Sequence, residues 1–371
     1  MSNNKVSPLK KGTYGVVVLL LVLVIAEVVT SIFYYHQYGQ RKLALAELYY
    51  SVKNKIAAAR ETAEKKKINY RNQQLVRPAS SAHMNRAVYD ETMAANVFVY
   101  EPWLGFRNKD FSGVHVNVSG FERKTIPAFV QKETDTITIW FFGGSTLFGF
   151  NSTDAETIPS VFANSYSNDT LQKKSLLIKN YGIPYYYSYH EYRLLCLLLE
   201  QEPLPDFVVF IDGLNDFWLY GNTFYKTPYF SEKMAAFMNQ ALYSLPSITN
   251  DTKLTATQTD TLVMNYLQTV ALTKKLLHSK GIQPLFVLQP VPFFKYPNKK
   301  NDPVCSQNEY PVFETVYPRL EQFFRNDSTF LYLGNELQTQ TGLPFVDAIH
   351  YSPLYSKHLA ALIYQKLKPQ F

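Results

Sequence analysis

Ser145 lies where a serine side chain could act on a ligand. It follows a mostly apolar run, residues 137–142, and two glycines, Gly143 and Gly144. An apolar run of this length predicts a strand buried between two layers of helices. Ligands of parallel sheets bind at the carboxyl ends of the strands, and the glycines allow a sharp turn and a close approach to such a ligand. Ser145 is therefore a candidate nucleophile.

Three further segments carry the groups that a serine nucleophile requires for acyl transfer. A neutral imidazole must take the serine proton; His350 could do so, and Asp347, three residues earlier, could hold the ring. The tetrahedral oxyanion needs converging hydrogen-bond donors. The N–H groups of Ser145 and Gly182 and the side-chain amide of Asn215 could provide three. Together these residue types predict acyl transfer through Ser145.

Alternating strands and helices must bring these residues together. Ser188 with Glu191 forms a capping-box pattern at the start of one helix, Gly281 ends another, and Ser352-Pro353 caps the last. The alternation implies right-handed crossovers and predicts an α/β fold, a three-layer α/β/α sandwich on a parallel sheet. The predicted strands lie at 137–142, 176–179, 207–211, 285–288 and 343–346, and helices are predicted at 159–167, 188–200, 310–324 and 353–367, with another ending at 279.

An apolar segment precedes this domain. Residues 16–34 are almost wholly apolar, and about 20 such residues span a bilayer as a helix. A cleaved signal peptide fits less well, because bulky aromatic residues replace the small-x-small cleavage site. We predict a tail at 1–13, a transmembrane anchor at 14–35, a helical stalk and linker at 36–95, and a domain at 96–371 with an aromatic insert at about 217–252.

The net charge of +7 is confined to the N-terminal part of the chain. Residues 1–75 contain 12 of the 37 Lys and Arg residues and 4 of the 30 Asp and Glu residues, which leaves 25 basic and 26 acidic residues in the remainder. A nearly neutral domain gives no support to nucleic-acid binding. At 371 residues and 46% hydrophobic content, the chain can bury a large core.

The sequence predicts no cofactor and no metal. Asp212 and Asp216 flank Asn215 and could be metal ligands with His350, but the usual spacing of a metal site is missing. Two cysteines, at positions 196 and 305, make neither a disulfide framework nor a metal cluster. A single bridge between them stays open.

Two other histidines and two aromatic residues are secondary candidates. His190 falls inside the capping-box pattern and His358 inside the last predicted helix, so we expect both to be structural rather than alternative bases. Trp218 and Tyr220, at the start of the insert, could line a sugar- or acyl-binding cleft or could pack beneath a loop.

Four blocks of this chain resemble the signature blocks of the SGNH (GDSL-type) hydrolases, in the family's order. They are GGST at 143–146, NYG at 180–182, GLND at 213–216 and DAIH at 347–350, and the resemblance covers roughly residues 97–371. It implies a flavodoxin-like α/β/α fold and a serine esterase site. The residues after which the family is named would be Ser145, Gly182, Asn215 and His350. Asp347 would be the acidic residue of the catalytic triad.

One departure concerns Gly144, which stands where the family usually has aspartate. It moves the chain away from the lipase branch and toward membrane-anchored, envelope-associated members, which the chain also resembles in its single N-terminal anchor. The missing aspartate affects the prediction of the substrate class more than the prediction of the reaction type.

We therefore predict a single-pass, membrane-anchored serine esterase whose domain lies outside the cytoplasm. It would act on ester-linked acyl groups, acetyl in the first place, of a cell-envelope carbohydrate through an acyl-enzyme on Ser145. Its partners would be that acylated carbohydrate or another ester, membrane lipid through residues 14–35, and envelope assembly proteins. The alternatives are an O-acyltransferase with the same site, a lipid or thioester hydrolase, and a non-catalytic scaffold or sugar-binding module.

Overall fold

The computed structural model describes residues 22–26, 28, 29, 32, 86–218, 255–302, 304, 305, 310–325 and 327–371. The predicted tail, the stalk and linker up to residue 85, most of the anchor and most of the insert lie outside the described residues. The chain divides into two compact units, Met1–Asn69 and Tyr70–Phe371.

The described residues of the first unit are helical. Their apolar side chains are exposed; these are Val22, Leu23, Val24, Ile25, Val28, Val29 and Ile32. Within the part of the chain that the structure describes, no helix is both long enough and apolar enough to cross a membrane.

The described part of the second unit begins with one helix and six short strands. Helix α1 (Arg86–Ala95) is followed by β1 (Phe98–Glu101), β2 (Gly105–Asn108), β3 (Phe111–Ser112), β4 (Asn117–Ser119), β5 (Glu122–Arg123) and β6 (Phe129–Val130). Strands β1 and β2 form a separate hairpin, whereas β3 to β6 join the main sheet. Strands of two to four residues carry too little periodicity to be predicted from sequence.

Helix α1 packs on this unit, although the sequence analysis assigned residues 86–95 to a linker. The Glu91 carboxylate accepts hydrogen bonds from the backbone N–H groups of Val114, His115 and Val116 at 2.7–3.1 Å. These hydrogen bonds to residues 114–116 hold helix α1 in place. No local sequence pattern predicts such a contact.

Five parallel strands form the centre of the second unit. They are β7 (Thr134–Gly143), β8 (Lys174–Gly182), β9 (Phe207–Asp212), β10 (Gln283–Leu288) and β11 (Phe330–Tyr332). Their spatial order is β8-β7-β9-β10-β11. The first parallel strand therefore lies between the second and the third, which is the flavodoxin-like order of doubly wound folds.

Helices cover both faces of this sheet. They are α2 (Ser145–Phe148), α3 (Ile158–Asn168), α4 (Ser188–Gln201), α5 (Leu214–Trp218), α6 (Ala256–Ser279), α7 (Val312–Phe324) and α8 (Pro353–Leu367), with 3₁₀ turns at Asp154–Glu156, Pro297–Asn301, Glu336–Thr339 and Lys368–Gln370. In β7, Trp140 and Phe142 pack with α4, α6 and α7, whereas Ile139 and Phe141 pack with α3 and α8. The predicted α/β fold is confirmed, but the sheet is mixed rather than parallel, because the antiparallel strands β3 to β6 extend it.

The predicted fifth strand at 343–346 was wrong. The fifth parallel strand is β11, which pairs with β10 through Phe286 and Phe330. Residues 343–346 make one isolated antiparallel bridge, between Phe345 and Tyr351. Pro344 has no N–H to donate to a ladder. Residues 343–346 therefore do not join the sheet, and their one bridge, to Tyr351, lies within the same loop.

A buried ion pair holds the segment that follows α2. Arg123 is fully buried, and its Nε donates to Asp154 Oδ1 at 3.0 Å. Its other nitrogens donate to the carbonyl oxygens of Phe148 at 2.8 Å, Gly149 at 3.2 Å and Ser152 at 2.7 Å. Removal of Arg123 would leave a buried carboxylate and three carbonyl groups without these donors.

We expect Arg123→Ala to lower the free energy of unfolding by about 3–5 kcal/mol, because it breaks a buried pair and leaves one charge uncompensated. Chemical denaturation of the full-length protein measures the loss. The matched control is Arg86→Ala, which removes an exposed pair with Asp90 and should change stability little. Equal stability of the two variants would contradict the prediction.

Candidate active site

Ser145 begins helix α2 directly after the end of β7. Gly143 pairs with Gly182 of β8 on one side and with Ile211 of β9 on the other. A Cβ on Gly143 would lie 2.8 Å from the Leu147 Cβ, so the sharp turn into α2 requires a glycine there. Ser145 is therefore presented where the ends of three strands meet.

The structure brings the three predicted triad residues together. His350 Nε2 lies 2.9 Å from Ser145 Oγ, although the residues are 205 positions apart in sequence. His350 Nδ1 lies 2.7 Å from Asp347 Oδ2 and 3.0 Å from Asp347 Oδ1. Ser145 and His350 are buried, with 8% and 9% of their surfaces exposed. The arrangement lets an imidazole take the serine proton while a carboxylate holds the ring.

Asp347 is held in its ionised form. Burial by itself would raise the pKa of this carboxyl group, but the nearby imidazole and the hydrogen bonds from His350 Nδ1 and from the backbone N–H groups of Ile349 and His350 outweigh it. The pKa of Asp347 therefore lies below its ordinary value. An ionised carboxylate can only accept hydrogen bonds, so the proton of the neutral imidazole belongs on Nδ1 and Nε2 is left as the base.

Asn215 lies against the turn that carries Ser145. Its Nδ2 donates to the Tyr186 carbonyl oxygen at 2.7 Å, and that nitrogen is 2.5 Å from the position of a Cβ on Gly144. A side-chain amide has two N–H groups, so one is left for a ligand. The backbone N–H of Ser145, in the first turn of α2, has no intrahelical partner either.

Gly182, the third predicted oxyanion donor, is engaged within the protein. Its N–H donates to Asn180 Oδ1 at 3.0 Å. A Cβ on Gly182 would lie 2.4 Å from the Phe148 backbone nitrogen, so this glycine allows β8 to approach α2 closely. Its part in an oxyanion hole stays a prediction.

Three residues near the triad were missed in the sequence. The Phe150 ring stacks on the His350 imidazole, with centroids 4.3 Å apart, and Asn151 contacts Asp347. Gln289 Oε1 accepts hydrogen bonds from Thr146 Oγ1 at 2.7 Å and Tyr351 Oη at 3.2 Å. Gln289 directly follows β10. The expectation that ligands bind at the carboxyl ends of parallel strands could therefore have identified it.

A cluster of buried carboxyl groups replaces the predicted capping box. Ser188 Oγ donates to Asp216 Oδ1 at 2.5 Å, and α4 has no side-chain cap. Glu191 is buried beside Asp212, which also accepts a hydrogen bond from Tyr266 Oη at 3.3 Å. Burial, together with the neighbouring charge of Asp216, raises the pKa of Asp212 to about 8. The pKa of Glu191 is likewise raised, by burial first and then by Asp212.

No group of His, Cys, Asp or Glu side chains suited to a metal ion occurs among the described residues. Cys196 and Cys305 form no disulfide, and Cys305 Sγ instead lies 3.6 Å from the Asp347 carbonyl oxygen.

The two other candidate bases, His190 and His358, contact residues other than Ser145. Burial lowers the pKa of His190 to about 3, and its ring packs between Tyr186 and Tyr187. His358 Nε2 lies 3.1 Å from Glu336 Oε2. The Trp218 side chain and all of Tyr220 lie outside the described residues.

Comparison with known proteins finds similarity to solved structures alone. No protein-family model and no curated protein matches this chain. One solved structure is the acetyl xylan esterase AlAXEase, at 15% sequence identity, which covers 62% of this chain and 98% of that chain with a TM-score of 0.37. Another is a catalytic mutant of Axe2, an acetylxylan esterase from Geobacillus stearothermophilus, at 14% identity, 64% and 96% coverage and a TM-score of 0.37.

A third is a member of the lipolytic protein G-D-S-L family from Veillonella parvula, at 12% identity, 63% and 98% coverage and a TM-score of 0.37. This chain is thus similar to solved structures described as acetyl xylan esterases and as a lipolytic G-D-S-L protein. At these identities the similarity says nothing about its substrate, which has to be argued from its own residues.

We expect Gly144→Ala to slow the reaction of Ser145 with a fluorophosphonate by about 100-fold, the usual effect of losing one oxyanion donor. The new Cβ would lie 2.5 Å from Asn215 Nδ2 and 3.0 Å from the Tyr186 carbonyl oxygen, so the amide must move. The control is Gly342→Ala, whose Cβ would meet only the end of the Gln340 side chain, at 3.2 Å. A wild-type rate in Gly144→Ala would show that the placement of the amide is immaterial.

The carboxyl cluster predicts how stability depends on pH. The pKa of Asp212 is about 8 in the folded protein and about 4 in an unfolded chain, so folding favours its protonated form. This contribution is complete below about pH 4 and is lost as the pH rises through about 8. Asp212→Asn removes the titration. Urea denaturation at pH 5 and pH 8 should show a smaller loss of stability in the variant, and equal losses would refute the assignment.

Proposed function

We propose that this protein is a serine esterase that forms an acyl-enzyme on Ser145. The observation that carries the proposal is the distance of 2.9 Å between His350 Nε2 and Ser145 Oγ, with Asp347 on the other ring nitrogen. Ser145 and Asn215 follow β7 and β9, the two neighbouring strands between which the winding of the sheet reverses. That reversal is where ligands of doubly wound sheets bind.

The reaction would proceed in two halves. Ser145 Oγ attacks the ester carbonyl carbon while its proton passes to His350 Nε2, and the Ser145 N–H and the Asn215 amide stabilise the oxyanion. The bond to the alcohol oxygen then breaks, and the alcohol leaves with the proton from His350. Water repeats the sequence on the acyl-enzyme: it gives a proton to His350, Ser145 recovers that proton, and the carboxylic acid leaves.

The substrate that we propose is a short acyl ester, acetyl in the first place, of a cell-envelope carbohydrate. Support comes from the sequence blocks, in which Gly144 departs from the usual aspartate of the lipase branch. An O-acyltransferase would use the same residues, since it differs only in whether water or a sugar hydroxyl reaches the acyl-enzyme. The choice between the two depends on the acceptor.

We also propose that residues 14–35 anchor the protein in a membrane and that the domain lies outside the cytoplasm. The apolar run is long enough to span a bilayer. Its described residues are helical and expose apolar side chains, such as Val24 at 58% and Val29 at 61%. Protease treatment of intact vesicles of known orientation, before and after the membrane is opened, tests the orientation.

Ser145 is expected to react covalently with a fluorophosphonate in the full-length protein, and Ser145→Ala and His350→Asn should abolish the labelling, because one removes the nucleophile and the other its base. Intact-mass spectrometry measures the adduct. A panel of acetylated sugars against long-chain esters and thioesters then identifies the acyl group, and added sugar acceptors reveal transfer. A folded wild-type protein without an adduct would refute the esterase and favour a non-catalytic module.

A further inference from the structure

Asn151 connects the turn that carries Ser145 to the carboxylate of the triad. Its Nδ2 donates to Asp347 Oδ2 at 3.0 Å, across 196 residues of sequence. The side chain is buried, with 1% of its surface exposed. A hydrogen bond to an ionised carboxylate is among the stronger ones in proteins, so this contact can hold Asp347 in one orientation.

The other donors to Asp347 come from its own loop. Oδ1 accepts from the backbone N–H groups of Ile349 at 3.0 Å and His350 at 2.8 Å, and the carboxylate also faces His350 Nδ1. These groups would move together with Asp347 if the loop turned. Among the described residues, Asn151 is the one donor to this carboxylate from another part of the chain.

The orientation of the Asn151 amide follows from its neighbour. If the amide were rotated by half a turn, its oxygen would face the carboxylate of Asp347, and neither group could donate a hydrogen bond. In the observed orientation Asn151 Oδ1 is buried and has no partner among the described residues. The protein thus leaves one buried oxygen unpaired while it keeps the contact to Asp347.

The backbone around Asn151 is held in an unusual conformation. Asn151 has φ +64°, in the left-handed region, where asparagine is tolerated better than most side chains. The carbonyl oxygens of Phe148, Gly149 and Ser152 on either side accept hydrogen bonds from the buried Arg123. The hydrogen bonds from Arg123 therefore fix the backbone of the segment that carries Asn151.

Phe150, the residue before Asn151, contacts the other member of the acid–base pair. Its ring stacks on the His350 imidazole with centroids 4.3 Å apart and an angle of 21° between the planes. Stacking over one face opposes rotation of the imidazole out of the plane that it shares with Ser145 and Asp347. Two consecutive side chains thus contact the base and its carboxylate.

We propose that Asn151 is a positioning residue for the triad, which fixes Asp347 and thereby the imidazole tautomer that leaves His350 Nε2 free to act as base. The kinetic consequence of this inference rests on the proposed esterase function, whereas its spectroscopic consequence does not. Nothing in the four sequence blocks includes Asn151, since it lies after the first block and before the second.

The experiment uses four variants of the full-length protein. Asn151→Gly removes the amide and tolerates the left-handed backbone. Asn151→Asp keeps the shape but puts a second carboxylate beside Asp347. The matched control is Lys295→Gly, because Lys295 is an exposed residue with φ +48° outside the triad loops. NMR of protein with ¹⁵N-labelled histidine follows the Nδ1–H signal of His350, which His350→Asn identifies.

In Asn151→Gly we expect the His350 Nδ1–H signal to broaden or vanish, and kcat to fall about 10- to 100-fold with KM within about twofold. Lys295→Gly should match the wild type in all of these. In Asn151→Asp we expect the same broadening or loss of the signal, because an ionised carboxylate cannot donate a hydrogen bond to Asp347.

A folded Asn151→Gly protein with the wild-type signal and the wild-type kcat would overturn the inference, as would a folded Asn151→Asp protein with the wild-type signal. If the wild type itself fails to react with a fluorophosphonate or to hydrolyse esters, the proposed function fails instead. The Nδ1–H signal of His350 then still decides whether Asn151 positions the pair.

Discussion

The site depends on the register of β7 between its two parallel neighbours. Gly143 lies opposite Gly182 on one side and Ile211 on the other, so the chain leaves β7 where β8 and β9 also end. Ser145 and Asn215 then emerge side by side, and the loop that carries Asp347 and His350 closes over them. Because side chains alternate faces along a strand, a shift of one residue in this register would exchange the two hydrophobic cores of β7.

Close backbone contacts give the site its shape. A Cβ on Gly144 would collide with Asn215, and a Cβ on Gly182 would collide with the backbone of α2. Because these two glycines carry no side chain, the Asn215 amide fits against Gly144, and helix α2 fits against Gly182. The glycine at position 144 therefore has a physical explanation: the Asn215 amide occupies the space that a Cβ would need.

Two carboxyl groups, the half-buried Asp347 and the buried Asp212, have opposite protonation preferences. Asp347 faces an imidazole, two backbone N–H groups and an asparagine amide, and its pKa is lowered. Asp212 faces other carboxyl groups and a tyrosine hydroxyl, and its pKa is raised to about 8. Burial disfavours the charge in both, so the donors around each group decide the outcome. The fold thus supplies an ionised carboxylate beside the imidazole and keeps the other carboxyl group neutral.

Buried apolar runs predicted four of the five parallel strands, because strands covered on both faces are apolar throughout. The sequence by itself also determined that Ser145 and Asn215 come just after two of those strands, and that a carboxylate and an imidazole lie three residues apart in one short segment. Tertiary structure decided what residue spacing cannot predict. It shows that β11 rather than residues 343–346 completes the sheet, and that the Ser188 hydroxyl donates to Asp216. It also shows that the Gly182 N–H donates to Asn180, and that Phe150 and Asn151 contact His350 and Asp347. The reason is that local patterns report periodicity and chain ends, whereas these contacts join segments up to about 200 residues apart, and only strand register and packing bring such segments together.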